Sequence, residues 1–549
     1  MTSPEVRSEG GIWTWFALEC DAVTVLHLVE VKGGNEMVDS ERPSGTDPSP
    51  SESLISKKGE LFRLAKVVGV TTIVASAISQ EYASGVNLIA PQSVGVYPRI
   101  EGLVAVAMFV TGIFLLPKIF MFARFSSTMP SAGSTYSWIS RTVSGPVSFV
   151  VSFVWFVGLA AAIGVIAFAF TTFLSSAFAL AGWPGSSFLL STTGRIVVGL
   201  LAIWLAVLVH LRGVKHYSVW IRVFLVLVVI AAVVAVVYSL ATSTSHFLAL
   251  AHSQTGVKLS QPAHKGVTLS AFLSVCTLLV FAYGGVNAAP SLGGETREAT
   301  STMPRAIYIA WASIVVMYTI VVASLFQLVP WWAVAELTAA KQTTVTSLTG
   351  LISVVAPKAI GVLYSLLVAV IVVKALLPQI LGCSRTMFAW GEDHMLPEIV
   401  CKTNKNNVPS FAIILTATLG SLFLIESVAT GFTSGVIVRS FSVLLVMAVL
   451  GVGVLNVRFG QKSRFVDKPW ITEAVRDPAA VTAAVVAIVV AVVLVHATLT
   501  AAGKGLLYQP WLQGLIILVV GVILSIFGRW DARRRGVDIR SALEKAPVE

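Results

Sequence analysis

Residues 67–95 read VVGVTTIVASAISQEYASGVNLIAPQSVG, an apolar run long enough to cross a bilayer that nevertheless carries Ser79, Gln80, Glu81, Tyr82, Ala83, Ser84 and Gly85 near its middle. Residues 269–295, LSAFLSVCTLLVFAYGGVNAAPSLGGE, are apolar in their first half and then broken by Tyr283, Gly284, Gly285, Asn287 and Pro290. Breakers inside a span free backbone N–H and C=O groups in hydrocarbon, which is tolerated only where they line a cavity or meet protein. Gly and Ser also serve close helix packing, and either segment alone fits that plainer reading. The matched pair fits it less well, because these are the first and the sixth apolar runs of the chain. Five crossings is an odd number, so a second group of five enters the bilayer upside down. That is the layout of an inverted-repeat transporter, whose site lies where two broken helices meet near the midplane.

The sequence around the two stretches is of the same kind. Of 549 residues, 56% are hydrophobic and only 12% charged, with a mean hydropathy of +0.85. A soluble chain carries about a quarter charged residues. Apolar runs near 67–94, 100–122, 146–174, 195–211, 218–240, 268–289, 305–330, 357–384, 408–426, 436–457, 478–499 and 510–529 predict an all-α polytopic membrane protein with about 12 transmembrane helices. The net charge of +11 does not point to nucleic acid, because the basic residues sit between apolar runs and form no single patch. Of the 38 Lys and Arg residues, only Arg99, Arg195, Lys258, Lys265, Lys341, Lys358, Arg439 and Lys504 fall in the loops opposite the N-terminus. The excess on the other side assigns both termini to the cytoplasm of a plasma-membrane protein.

Four regions follow. Residues 1–53 are expected to be a disordered cytoplasmic tail, since Asp39 to Ser53 is polar and rich in Pro and Ser. The apolar stretch upstream holds Glu19 and Asp21, which are costly in a spanning helix, and has no basic n-region or small-residue cleavage site, so it reads as an unstructured or weakly interfacial tail, with Met37 as a candidate start. Residues 54–460 form the ten-helix inverted-repeat core, 461–530 two peripheral transmembrane helices, and 531–549 a basic cytoplasmic tail.

Unwound segments offer a specific chemistry. Free amides and a half-helix N-terminus favour a carboxylate, while free carbonyls favour an ammonium or a metal cation. A zwitterionic amino acid carries both groups and fits two facing breaks, though other substrates remain compatible.

Short motifs along the chain resemble the amino acid–polyamine–organocation superfamily from about Leu61 to Val457. Ala83-Ser84-Gly85-Val86 resembles the family's Gly-Ser-Gly-Ile break, and Met129 to Tyr136 (MPSAGSTY) its Pro-x-Ser-Gly-Gly-x-Tyr loop. Leu211-Arg212-Gly213-Val214-Lys215 is similar to the end of its fourth helix. Phe281 to Asn287 (FAYGGVN) resembles its sixth-helix Phe-Ala-Tyr-x-Gly-x-Glu, followed by Gly294-Glu295-Thr296 and Met303 to Ile307. Ser384 to Ala389 with Asp393 to Pro397 resembles the loop after its eighth helix. The resemblance implies a leucine-transporter-type 5+5 fold, alternating access, and uptake or exchange of amino acids or amines. By position, Ala83, Ser84 and Gly85 would offer amides to the substrate carboxylate. Phe281, Ala282 and Tyr283 would offer carbonyls to its amino group, with Gly284 and Gly285 completing the break and the Phe281 or Tyr283 ring as a gate. Asn287 stands where many members have Glu, Phe122 to Phe125 where many have Tyr-Ala-Glu-Leu, and Val228 where some proton-coupled members carry a lysine.

Glu81 reads as the only carboxylate well inside a span and Lys374 as the only cation deep inside one. A mid-bilayer charge costs roughly 2.5–3.5 kcal/mol on insertion scales, so each needs a partner, a cavity or neutralisation. In sodium-coupled relatives the first and eighth helices form a cation site, and Lys374 falls beside it. The expectation is that its ammonium replaces that ion and its protonation couples transport to the proton gradient. The alternatives are a fixed Glu81–Lys374 ion pair, a lysine snorkelling along a lumen, and Glu81 as counter-ion for cationic substrates.

The remaining residues direct the function little. The histidines lie near span ends, in loops or in the N-terminal tail without metal-ligand spacing, and the four cysteines show no CxxC pairing, so neither a metal nor a cofactor is expected. Trp331-Trp332 reads as an interfacial anchor and Arg529 to Arg540 as a topology signal. No HExxH, GxSxG or Walker A pattern provides an enzyme's nucleophile and base. The leading expectation is a proton-coupled amino acid transporter, with a polyamine or amine permease or an exchanger as the alternative. A sensor or channel on the same fold stands further off.

Overall fold

A computed structural model of the chain describes residues 68–539, apart from 264, 343, 461–464, 466 and 500–508, together with residue 543. The expected tail over residues 1–53 and nearly all of the chain beyond 539 lie outside the described residues. Among those described, ten helices are long and apolar enough to cross a membrane. The two expected spans missing from that number are 67–94 and 268–289, the segments whose sequence predicts a break.

The first is split into α1 (Val70–Glu81), a π-turn over Gly85–Ile89, and α2 (Ala90–Val96), with Tyr82 leaving helical geometry. The continuous helices α3 (Val104–Thr128), α5 (Gly145–Ala181), α6 (Thr192–Leu211) and α7 (Val214–Ala241) follow, with the short α4 (Thr135–Thr142) between α3 and α5. The second broken segment begins with α8 (Leu269–Val280) and continues only as 3-10 turns at Val286–Ala288 and Pro290–Glu295. After it come α9 (Ala299–Leu328), α10 (Lys358–Lys374), α11 (Leu376–Glu392), α12 (Ser410–Thr430) and α13 (Thr433–Phe459). The last two are α14 (Pro478–Leu499), which packs on α13 and α3, and α15 (Pro510–Arg534), which packs on α5.

At the centre stands α5. Its 37 residues span about 55 Å at 1.5 Å per residue, more than the roughly 30 Å of hydrocarbon, so it is long enough to cross with tilt. Small residues set its distance to its neighbours: Gly158 lies against Ser442 and the Arg439 backbone of α13, and Gly164 against the Phe423 and Leu424 backbone of α12. Outer helices instead turn an apolar stripe outward, as α7 does with Val219, Val223, Val226, Val229, Val233 and Val237. In lipid such a stripe needs no cover.

A group of polar bonds joins α4, α11 and the two broken segments. Arg385 of α11 pairs with Glu295, both nearly inaccessible, and Arg141 of α4 pairs with Asp393 at 2.6 Å. Beside them the Val68 amide donates to the Glu295 carbonyl at 2.9 Å and the Arg297 amide to the Val68 carbonyl at 3.0 Å. These bonds tie the start of α1 to the segment that follows the second break.

Removing one partner of a buried pair strands the other charge. Arg385→Ala is expected to destabilise the protein by about 3–5 kcal/mol, and Arg385→Met with Glu295→Leu to recover most of that. Thermal-stability curves of the purified variants in detergent check both outcomes, and a double variant no better than the single would contradict them.

Candidate functional site

Gly85 and Gly285 bring the two breaks into contact. A Cβ on Gly85 would lie 2.6 Å from the Ala282 Cα, and one on Gly285 would lie 2.7 Å from the Glu81 amide nitrogen. Each break thus presses a glycine against the other's backbone. The residues singled out from the sequence come together here. Glu81, Ala83, Ser84, Phe281, Ala282, Tyr283 and Lys374 are all buried, as are Gly85, Gly284 and Gly285.

Side chains satisfy much of the freed backbone. The Gly285 and Val286 amides donate to Glu81 Oε1 at 2.8 and 2.7 Å. Lys374 Nζ donates to the carbonyls of Ser79 at 2.9 Å and Tyr82 at 3.3 Å. Tyr318 of α9 donates to the Ala282 carbonyl at 3.3 Å. The Gly284 carbonyl accepts from Arg439 Nη2 at 2.7 Å and also from the Asn287 side-chain amide. Beside these, Gln80 Nε2 donates to Gln379 Oε1 at 2.9 Å. Asn287, where many relatives of the motif carry Glu, therefore acts on its own turn.

The two aromatic residues of the second break go to different places. Tyr283 donates its hydroxyl to the Met108 carbonyl on α3 at 3.0 Å, and its ring packs on Trp311 and Tyr318. Phe281 instead joins a separate apolar cluster with Ile89, Ala162, Val165, Leu278 and Val436, flanked by Tyr97 and Phe432.

Three features correct the reading of the sequence. Arg439, assigned to an outer loop, lies inside α13 and is 1% exposed. Its guanidinium stacks 4.1 Å from the centroid of the Trp155 ring. Lys118, assigned to the loops on the side of the termini, is fully buried in α3, and its Nζ has no hydrogen-bond partner. Lys374 is thus not the only deep cation. In addition, Glu81 and Lys374 form no ion pair with each other: Lys374 takes carbonyls of the first break, Glu81 takes amides of the second. The signal for Arg439 was present, since it lies inside the apolar run 436–457 with apolar residues on both sides in VIVRSFSVLL (436–445), and α13 extends that run back to Thr433.

The stem of Lys374 also lines an apolar cleft of about 470 Å³ between α5, α6, α7 and the α10–α11 junction, with Leu174, Leu205, Trp220, Phe224 and Leu377 in its walls.

A many-helix membrane bundle with two interlocked broken segments belongs to the permease class. The sequence profile of the amino acid permease family matches residues 66–523, and the chain belongs to that family and so to the amino acid–polyamine–organocation superfamily. It is 25% identical over 344 residues to the branched-chain amino acid permease BcaP of Lactococcus lactis, covering 59% of this chain and 69% of that protein. It is also 25% identical over 293 residues to the aromatic amino acid permease FywP of the same organism, covering 50% of this chain and 62% of the relative. The uncharacterized amino acid permease YvbW of Bacillus subtilis matches at 23% over 189 residues, 34% of this chain and 41% of the relative.

The contact between breaks is a steric condition, open to test. Gly285→Val puts a branched side chain where the Gln80 and Glu81 backbone already stands, and overpacking of this kind costs typically about 1–3 kcal/mol. A lowered melting temperature together with lost substrate binding is the expected result. Wild-type stability and binding in that variant would mean the breaks are not held in contact.

Proposed function

We propose that the protein is a secondary active transporter of amino acids in the plasma membrane, with both termini cytoplasmic, working by alternating access of a twelve-helix, 5+5 inverted-repeat fold. Membership of the amino acid permease family and the meeting of two broken segments support this reading. The substrate binds beside the breaks, lined by Ala83, Ser84 and Gly85 on one side and by Phe281, Ala282, Tyr283, Gly284 and Gly285 on the other. The relatives' names refer to branched-chain and aromatic amino acids, and neutral apolar amino acids are accordingly the first substrates to test.

The coupling ion in this reading is the proton, carried by Lys374. The observation behind it is the Lys374 ammonium on the Ser79 and Tyr82 carbonyls, where an unwound helix presents the ligands a metal cation would use. A charged Lys374 holds α10 to the first break, and a neutral one retains a donor but loses its charge-assisted hold. Glu81 contributes by clamping the second break to the first. A second reading, an amine or polyamine permease or an exchanger, draws on Glu81 Oε2, which is buried without a hydrogen-bond partner and offers a cation a carboxylate oxygen.

Uptake of labelled amino acids and polyamines into proteoliposomes, with and without an inward proton gradient at fixed sodium, separates these readings. Accumulation of amino acids that collapses with a protonophore is expected. Lys374→Ala and Lys374→Gln should then abolish accumulation while counterflow exchange persists, and undiminished proton-driven uptake in both would sink the coupling role. Amine uptake without amino acid uptake would favour the second reading.

A further inference from the structure

The apolar cleft beside Lys374 takes no part in the transport reading, and its shape is specific. Along α6 its wall is a stripe of Val198, Ala202, Leu205 and Val209, spaced by three and four residues. From Val198 to Val209 the stripe runs about 16 Å at 1.5 Å per residue, so the cleft is a trough along the helix. That length is about half of the roughly 30 Å hydrocarbon core, the depth of one leaflet.

Side-chain bonds pin α6 at either end of the trough. At one end Arg195 Nη1 donates to Thr172 Oγ1 of α5 at 2.9 Å, and its guanidinium stacks on the Phe168 ring. At the other end His210 Nε2 donates to the Leu377 carbonyl of α11 at 2.7 Å. Between these attachments stand Ala202 and Ala206, whose methyl groups leave the space that larger side chains would fill. Rim and floor differ in exposure. Leu201, Leu205 and Trp220 at the rim are 59%, 53% and 50% exposed, on the outward face of a membrane-spanning chain. Ala202, Ala206, Lys374 and Leu377 on the floor are at most 7% exposed.

The lining selects the class of occupant. Among the described residues Lys374 is the only charged one in it, and its ammonium is already held by the Ser79 and Tyr82 carbonyls. A concave apolar surface that faces lipid keeps its dispersion contacts only when apolar atoms fill it. One turn beyond Val209 on the same stripe comes Arg212, exposed at the end of α6. A leaflet-deep apolar trough that ends at a cation matches an acyl chain joined to a phosphate.

We propose that the cleft is a phospholipid site: one acyl chain lies along α6 over Ala202 and Ala206 and against the Lys374 stem, and the headgroup phosphate of an anionic lipid meets Arg212. The inference needs only that the chain lies in a membrane, and so goes beyond the transport reading. Lys374 and Leu377 flank Ala375, where α10 gives way to α11. The bound chain therefore packs on both sides of that junction and steadies it.

The test uses the full-length protein in phosphatidylcholine nanodiscs containing a minor fraction of lipid with a diazirine midway along one acyl chain. Peptide mass spectrometry locates the adducts after irradiation. A phosphatidylglycerol probe is expected to label the floor at Ala202 and Ala206 as well as the rim at Leu201 and Leu205. Ala206→Phe fills the trough and should abolish floor labelling while the rim stays labelled. A phosphatidylcholine probe should label the floor less, by about fivefold for one basic residue near the surface, and Arg212→Gln should remove that difference. Phosphatidylglycerol should also raise the melting temperature of the wild type in detergent, and that of Ala206→Phe much less.

Rim adducts without floor adducts in the wild type would overturn the site, and that map decides even where a variant fails to fold. Equal floor labelling of the wild type by the two probes would overturn the anionic occupant. Equal melting shifts in wild type and Ala206→Phe would overturn the steadying of the junction. Protection of rim and floor from both probes, with cross-linked dimers, would assign the cleft to a second copy and overturn the proposal.

Discussion

Glu81 holds the two broken helices together through a single oxygen. In hydrocarbon a backbone amide released from a helix has no water to bond, and leaving it bare costs several kcal/mol. By accepting from the amides of both Gly285 and Val286, Oε1 removes that cost for the second break with a residue from the last turn of α1. The same logic assigns the other polar side chains nearby. Lys374 serves carbonyls of the first break, while Tyr318, Asn287 and Arg439 serve carbonyls of the second. The charges that look costly in the sequence are therefore the ones that make the interrupted backbone tolerable.

That arrangement also explains what was legible in the sequence. Breaks at 79–85 and 283–290 announce themselves, because Gly, Pro and polar residues interrupt apolar runs, and the structure departs from α-helix at both. Glu81 and Lys374 stand out for the same reason. Their partners do not, because the Gly285 amide is 204 positions from Glu81 and the Ser79 carbonyl 295 from Lys374. Such pairings depend on how helices rotate and pack, which hydropathy does not encode. Arg439 and Lys118 were misplaced for a related reason. Both lie inside the apolar runs 436–457 and 100–122 but a few residues from an end, where a charge reads as part of the adjoining loop, whereas α13 begins at Thr433 and α3 runs on to Thr128.

The broken segments are linked to the rest of the bundle by bonds of one type, a side chain from one helix on the backbone of another. α10 reaches the first break through Lys374, α13 reaches the second through Arg439, α9 reaches it through Tyr318, and α3 receives the Tyr283 hydroxyl at Met108. Each such bond can be exchanged for a bond to substrate or water without unfolding a helix. A hydrogen bond of the helix ladder itself offers no such exchange, since breaking it in lipid leaves two bare groups. The breaks are thus the places where partners can change at low cost, and between them they are bonded to four continuous helices.

For the proposed transport cycle this gives the charges distinct tasks. Lys374 sits at the C-terminus of α10, next to the Ala375 junction with α11, so a change in its hold on Ser79 and Tyr82 acts where those two helices meet. Arg439 acts on the other break, from α13. Under that proposal Lys374 bears on the first break and Arg439 on the second, and the dependence of one on the other would run through Glu81, which joins the end of α1 to the amides of the second break. A coupled transporter requires that dependence, because a proton and a substrate that acted on independent parts would each cross without the other.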